Sequence, residues 1–261
     1  IKGQTRPFYF EGGPLTFTGG VRNDSPSDVA VFFGPQSRSS ITNKIASGAV
    51  DLSGVFYVCN STMRLAVPVK AQKVIAGYYN LALVCEADNL FDNVTDGIEI
   101  GVGWAPVTAD IVLKGTRQKF NVLKVNTNTT VAFKGEGAST LEIADASAAT
   151  YSGGLKGDLS VVHSGTGSWK LTGAANDMNG IIKVTAGTVT LTAASRFPNL
   201  SGIEVTGNGR LVVEDAASIP ASLATLRVTG GGHLKLPDGL NLTIDRAVIG
   251  PYALEPETYS F

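Results

Sequence analysis

The chain has 261 residues, a formal net charge of −1, only 16% charged residues and 31 glycines. A near-neutral balance excludes a broad basic face for nucleic acid or an anionic membrane. No apolar run is long enough to form a membrane-spanning helix, and the glycine-rich, charge-poor composition suits an extracellular β-scaffold better than a helical cytosolic enzyme.

The chain opens with Phe8-Tyr9-Phe10 and lacks an initiator Met or signal peptide, so it reads as a piece of a larger, processed protein. Predicted strands follow at Phe8–Phe10, Leu15–Thr18 and Val29–Phe33, divided by Gly12-Gly13-Pro14 and Asn23-Asp24-Ser25-Pro26. Between Val55 and Cys85 four more are expected: Val55–Cys59, Met63–Val69, Lys73–Ile75 and Leu81–Cys85. Pro68 falls inside an apolar run and marks an edge, an end or a bulge, because proline cannot donate to a ladder. Cys59 and Cys85 occupy matching apolar contexts about one coil apart, so they are expected to stack in adjacent strands. A strand spacing of about 4.8 Å lies within the Cα range of a disulfide; two buried thiols acting as small hydrophobes are the simpler reading.

Residues 86–97 carry Glu86, Asp88, Asp92 and Asp96 and read as a loop leaving the coil. Carboxylates with backbone carbonyls suit a hard cation. The spacing fits neither the EF-hand loop nor the glycine-rich calcium repeat, and a solvated loop is preferred. From Ile111 onward short strands recur: Ile111–Lys114, Val122–Val125, Thr130–Phe133, Leu141–Ile143, Leu159–Val162 and Trp169–Thr172, punctuated by Gly115, Gly135, Gly137, Gly153, Gly154, Gly157, Gly165 and Gly167. Ala144–Ala149 and Ala216–Leu223 are weakly helical and read as turns.

Between Ser168 and Pro237 three phrases repeat: Ile182–Leu191, Ile203–Val213 and Leu226–Leu236. Each is an alternating strand, a glycine bend and a second alternating strand. Val184 and Val205 lie 21 residues apart, and Val205 and Val228 lie 23 apart. A period of roughly 20–26 residues built only of strands and glycine turns predicts an all-β, coiled parallel solenoid with two or three strands per coil. Alternation sends Ile182, Val184, Val189 and Leu191 inward and Lys183, Thr185, Thr188 and Thr190 outward. Val184, Val205 and Val228 should then form one file through the interior.

The stretches Tyr151–Leu159, Ser164–Ala174 and Asn179–Leu191 closely resemble the autotransporter-associated β-strand repeat. Leu113–Leu123 resembles the segment that precedes this repeat in large bacterial surface proteins. The closing Gly250-Pro251-Tyr252-Ala253-Leu254 with Glu255-Pro256-Glu257-Thr258-Tyr259 looks like the ending of such proteins. The match covers about residues 109–215; Asp177-Met178 and Val189 depart from the pattern in packing only. The resemblance implies a right-handed parallel β-helix, organised as residues 1–108 with irregular loops and residues 109–261 with the repeat, in one continuous solenoid. It implies a non-enzymatic scaffold, spacer or adhesive domain of a secreted or cell-surface bacterial protein. Neighbouring domains of the same larger chain are the expected partners, with cell-surface or extracellular polysaccharide a second candidate. A carbohydrate-binding or polysaccharide-degrading β-helix is the alternative.

No catalytic, cofactor or metal residues are assigned. His163 and His233 lack a nucleophile elbow or cysteine partner in sequence and read as exposed turn or strand residues, and no phosphate loop, zinc signature or dinucleotide fingerprint occurs. A glycosidase needs two carboxylates about 5–10 Å apart. The stackable sets are Glu142 with Asp145, and Glu204 with Glu214 and Asp215; charges that keep a solenoid soluble are the plainer reading. Tyr78, Tyr79, Trp104 and Trp169 are candidates for stacking on sugar rings, and inward packing accounts for them equally well. Asn60, Asn93, Asn128 and Asn241 sit in Asn-x-Ser/Thr sequons, though asparagine is also favoured at solenoid turns.

Overall fold

The computed structural model describes residues 8–10, 14–23, 31–33, 41–77, 79–101, 106–254 and 257–260. It is an all-β solenoid that divides into two compact units, Ile1–Phe133 and Lys134–Phe261. Among the described residues the only helical element is the 3-10 turn Ala216–Ser218, capped by Asp215, and no helix is long and apolar enough to cross a membrane.

In the first unit the chain visits three sheets in rotation. The first sheet stacks Phe8–Phe10, Val31–Phe33, Val55–Val58, Lys73–Ala76, Ile98–Ile100 and Leu123–Val125. The second stacks Thr16–Phe17, Ile41–Ile45, Ser61–Leu65, Tyr79–Cys85 and Val107–Leu113, and the third Val21–Asn23, Val50–Leu52, Val69–Ala71 and Asn93–Val94. Every one of these neighbours is parallel. Each coil is therefore a triangle of three short strands, which is why the apolar residues come in runs of three to seven broken by polar corners. Pro68 lies in one such corner, between Ser61–Leu65 and Val69–Ala71. The interior is filled by Phe56, Met63, Leu65, Leu83 and Ile100, all fully buried. Phe91, Phe120 and Phe133 stack at centroid distances of 5.6 and 5.9 Å.

The expected cysteine stack does not form. Cys59 follows a strand of the first sheet, whereas Cys85 ends a strand of the second, where its register partners are Leu65 and Leu113. Coils in this unit vary in length: Val55 pairs with Lys73, but Val74 pairs with Ile98. A separation of one average coil therefore does not guarantee one column. Neither cysteine is in a disulfide, both are buried, and burial pushes the Cys85 thiol far above the usual range.

In the second unit each coil holds two strands and an irregular third side. One sheet runs through Thr129–Ile143, Gly154–His163, Ile181–Val184, Gly202–Val205, Ser222–Val228 and Asn241–Ile249. The other runs through Ala149–Tyr151, Ser168–Leu171, Thr188–Leu191, Arg210–Val213 and His233–Lys235. The register places Val184 on Val205 and Val205 on Val228, with parallel strands throughout this file. Val184 and Val205 are fully buried and Val228 partly so. A second file, Tyr151, Leu171, Leu191 and Val213, backs it from the opposite sheet. Burying each such side chain stabilises by about 1.5–3 kcal/mol. At the far end, Tyr252–Leu254 and Glu257–Ser260 pair antiparallel with Asn241–Ile249.

Two strands are longer than the sequence suggests. Gly135 and Gly137 lie inside Thr129–Ile143, and Gly157 inside Gly154–His163, instead of ending them. A Cβ on Gly135 would sit 2.2 Å from the Asp158 carbonyl oxygen, and one on Gly157 2.5 Å from that of Gly135. These glycines let two backbones nest within the sheet, and Gly157 adds a positive φ of 70°.

The third side of the second unit has no strands, so its backbone polar groups must be satisfied otherwise. Buried polar side chains supply this. Asn176 Oδ1 accepts from the Leu155 amide at 3.0 Å and its Nδ2 donates to the Gly173 carbonyl at 2.5 Å. Ser195 Oγ and Ser218 Oγ both donate to the Thr192 carbonyl, at 2.7 and 2.9 Å. Gln118 does the same in the first unit, accepting from Leu90 N and donating to Ala87 O. Met178, Phe197, Leu200 and Ile219 fill the space behind the corners of the second unit.

Candidate functional site

A concavity on the first unit lies along the corner where the third sheet turns back toward the first. The register stacks Asp51 on Lys70 and Lys70 on Asn93, so successive coils place these residues in one outward column. The corner residues that follow form a second column. Gln72 N donates to Gly54 O, Thr95 N to Ala71 O and Asp96 N to Gln72 O, so the corner backbone is committed to coil-to-coil bonds. Between the columns runs a cavity of about 610 Å³ lined by Leu52, Ser53, Lys70, Ala71, Gln72, Asp92, Asn93, Val94, Thr95 and Asn121. Leu52, Ala71 and Val94 are buried beneath it, and the polar residues are exposed.

The polar groups of this groove divide into those already engaged and those left open. Lys70 Nζ is 3.0 Å from Asp51 Oδ1, and Gln72 Nε2 donates to Asp96 Oδ2 at 3.0 Å. Thr95 Oγ1 donates to the Gln72 carbonyl. The side chains of Asp92, Asn93 and Asn121 have no hydrogen-bond partner among the described residues and face solvent.

Other outward residues are bound into ladders. Glu86 takes Lys44 at 2.9 Å and also Arg64 from neighbouring coils. Burial raises its carboxyl, but hydrogen bonds from Lys44 and Arg64 more than offset this and hold it below the usual carboxylate range. Glu99 likewise collects Lys73 at 3.3 Å, Lys124 at 2.9 Å and the Asn126 amide at 2.7 Å. Burial again pushes upward, and these partners leave its carboxyl lowered.

Glu142 accepts from Ser164 Oγ at 2.6 Å, while Asp145, at a corner, accepts from Ser147 N at 2.8 Å. Glu204 lies on Gly202–Val205 and pairs with Lys183 at 2.9 Å. Glu214 follows a strand of the opposite sheet, and Asp215 caps the 3-10 turn through the Ala217 amide. In the acidic loop Asp88 accepts from Arg117 N, and Asp96 and Glu86 hold the partners given above. Among the described residues no group of three or more His, Cys, Asp or Glu side chains is gathered as for a metal ion.

His163 is buried, contrary to an exposed strand end. It occupies the interior file one rung before Val184 and stacks on Trp169 at 6.4 Å. Nε2 lies 3.2 Å from the Gly167 carbonyl oxygen and so carries the proton, leaving Nδ1 buried without a hydrogen bond. Burial depresses its pKa, against the opposing pull of Gly167 O and Asp145. His233 is exposed on a strand of the second unit. Trp169 is buried against Tyr151 and Val189, so it offers no sugar platform. Tyr79 is 37% exposed, with a positive φ of 51°. Tyr78 and Trp104 lie outside the described residues.

In the sequence Asn93 stands out only as a sequon and Asp92 only as loop charge, and Ser53, Gln72, Thr95 and Asn121 carry no motif. Their common signal is position: each is a polar residue at or beside the corner after a third-sheet strand or its equivalent, in successive coils. Comparison with family models, with curated proteins and with solved structures finds no match to this chain.

Proposed function

We propose that this chain is a non-enzymatic β-helical scaffold of a larger secreted or cell-surface bacterial protein, one that spaces other domains and presents an adhesive face. The autotransporter-associated repeat resembled by residues 109–215 belongs to this reading. The observation that carries it is the column of register partners His163, Val184, Val205 and Val228, stacked parallel through the second unit. Such stacking makes stability a sum of coils and their interfaces, so length can be set by coil number. Glu86, Glu99 and Glu204 each pair with lysines of neighbouring coils, as the outward charges of a scaffold would.

Reducing-end release over a panel of neutral and acidic polysaccharides tests the assignment. The scaffold reading expects no release above background. Release that disappears in Glu142→Gln or Glu204→Gln would replace the scaffold by a polysaccharide-degrading enzyme.

A further inference from the structure

The corner groove of the first unit has a chemistry that the scaffold reading leaves unused. We propose that it binds a neutral, linear polyhydroxylated chain, an extended oligosaccharide, laid along the stack of coils. Four features of the groove point to this ligand class.

The first is repeat length. The lining residues come from successive coils, with Ser53, Gln72, Thr95 and Asn121 each at or near its own corner. Coils repeat at about 4.8 Å, a spacing close to the length of one sugar residue in an extended glycan. Each sugar then meets an equivalent rung, and the groove holds three to four residues.

The second is the kind of group on offer. Asp92 is an acceptor only, while the Asn93 and Asn121 amides both donate and accept. None of the three is engaged within the described protein. A ligand studded with hydroxyls supplies donors to the carboxylate and both roles to the amides.

The third is charge. Asp92 lines the groove, and the one cation among the lining residues, Lys70, is already paired with Asp51. A polyanion gains nothing there and meets uncompensated carboxylate.

The fourth is the state of the backbone. The corner amides and carbonyls are spent on their own ladder, so a peptide cannot join by strand addition. Recognition falls to side chains, as it does for sugars.

The test is titration calorimetry of the whole chain with neutral linear hexose oligomers of two to six units. A sulfated oligomer series and calcium chloride serve as separate arms. Affinity is expected to rise from two units to about four and then level off. Asn93→Ala combined with Asn121→Ala should weaken the best oligomer at least tenfold, and Asp92→Asn should weaken it severalfold. All three positions are exposed, and an unchanged melting temperature certifies the fold. The proposal is overturned if no neutral oligomer binds, if the double variant binds as tightly as the parent, or if only the sulfated series or calcium binds. Turnover of a bound oligomer would sink the scaffold reading while leaving the groove assignment standing, so the two failures are distinct.

Discussion

Replacing Asn176 by Ala asks whether buried amides stand in for the strand that the second unit lacks on its third side. Asn176 is 4% exposed and clamps two backbone groups, the Leu155 amide at 3.0 Å and the Gly173 carbonyl at 2.5 Å. Truncation leaves a donor and an acceptor without their partner. Each orphaned buried group costs about 1–3 kcal/mol. The hole left by the amide is polar and admits a water that restores part of one bond, so the net loss is about 2–4 kcal/mol. Asn176→Asp keeps an acceptor for Leu155 but turns an oxygen toward the Gly173 carbonyl, and should be at least as damaging. Urea unfolding gives the stability change. Native-state hydrogen exchange gives its location, because the Leu155 amide should lose protection ahead of the Val184 and Val205 amides. A shift under about 0.5 kcal/mol, the usual range of a surface substitution, with Leu155 still protected, would refute the clamp.

Three further outcomes follow from described geometry. His163 has a depressed folded-state pKa, so the unfolded chain binds more protons. Its contribution is complete above the unfolded value of about 6.5 and is lost as pH falls through that value toward the folded one. His163→Met should flatten the stability profile just below about pH 6.5, and an unchanged slope would show that other groups set it. Gly187→Ala should cost more than Gly239→Ala. Both have positive φ, 61° and 76°, but a Cβ at 187 falls 2.2 Å from Gly167 O whereas nothing lies within 4 Å at 239. The conformational part, about 1–2 kcal/mol, is common to both, and equal melting shifts would contradict the steric part. Glu99→Gln breaks partly exposed pairs with Lys73 and Lys124 and should cost about 1 kcal/mol, less in high salt. Because the carboxyl is held low, that contribution is present above about pH 4.3 and disappears as pH falls through the folded value; a loss independent of salt would point to packing instead.

The inward file of the second unit was legible because its coils are nearly equal. Val184, Val205 and Val228 recur at 21 and 23 residues, and the structure stacks them. The first unit resisted because its coils stretch and shrink at the corners, as the pairs Val55 with Lys73 and Val74 with Ile98 show. Its strands all look alike, short and apolar, so Cys59 and Cys85 seemed equivalent while belonging to different sheets. Glycine misled in another way. Gly135 and Gly157 read as turns, yet they permit close approach between neighbouring strands. The groove was illegible for a third reason. Its polar residues stand singly at corners, where spacing varies most, and only the hydrogen-bond register brings Lys70 and Asn93 into one column. His163 looked like a surface residue because a lone imidazole is ordinarily polar-facing; its neighbour Trp169 supplies the apolar wall that takes it inside.

The two reversed strands at the end of the second unit bear on self-association. A parallel stack invites another of its kind to continue it, which is the route by which β-folds run on into fibres. Here the terminal rung Asn241–Ile249 is bordered by Tyr252–Leu254 and Glu257–Ser260, which travel the opposite way. An incoming coil would meet a neighbour with the wrong polarity and the wrong hydrogen-bond spacing. Among the described residues, the outer edge of that strand is therefore taken by strands of opposite direction and is closed to a further parallel rung.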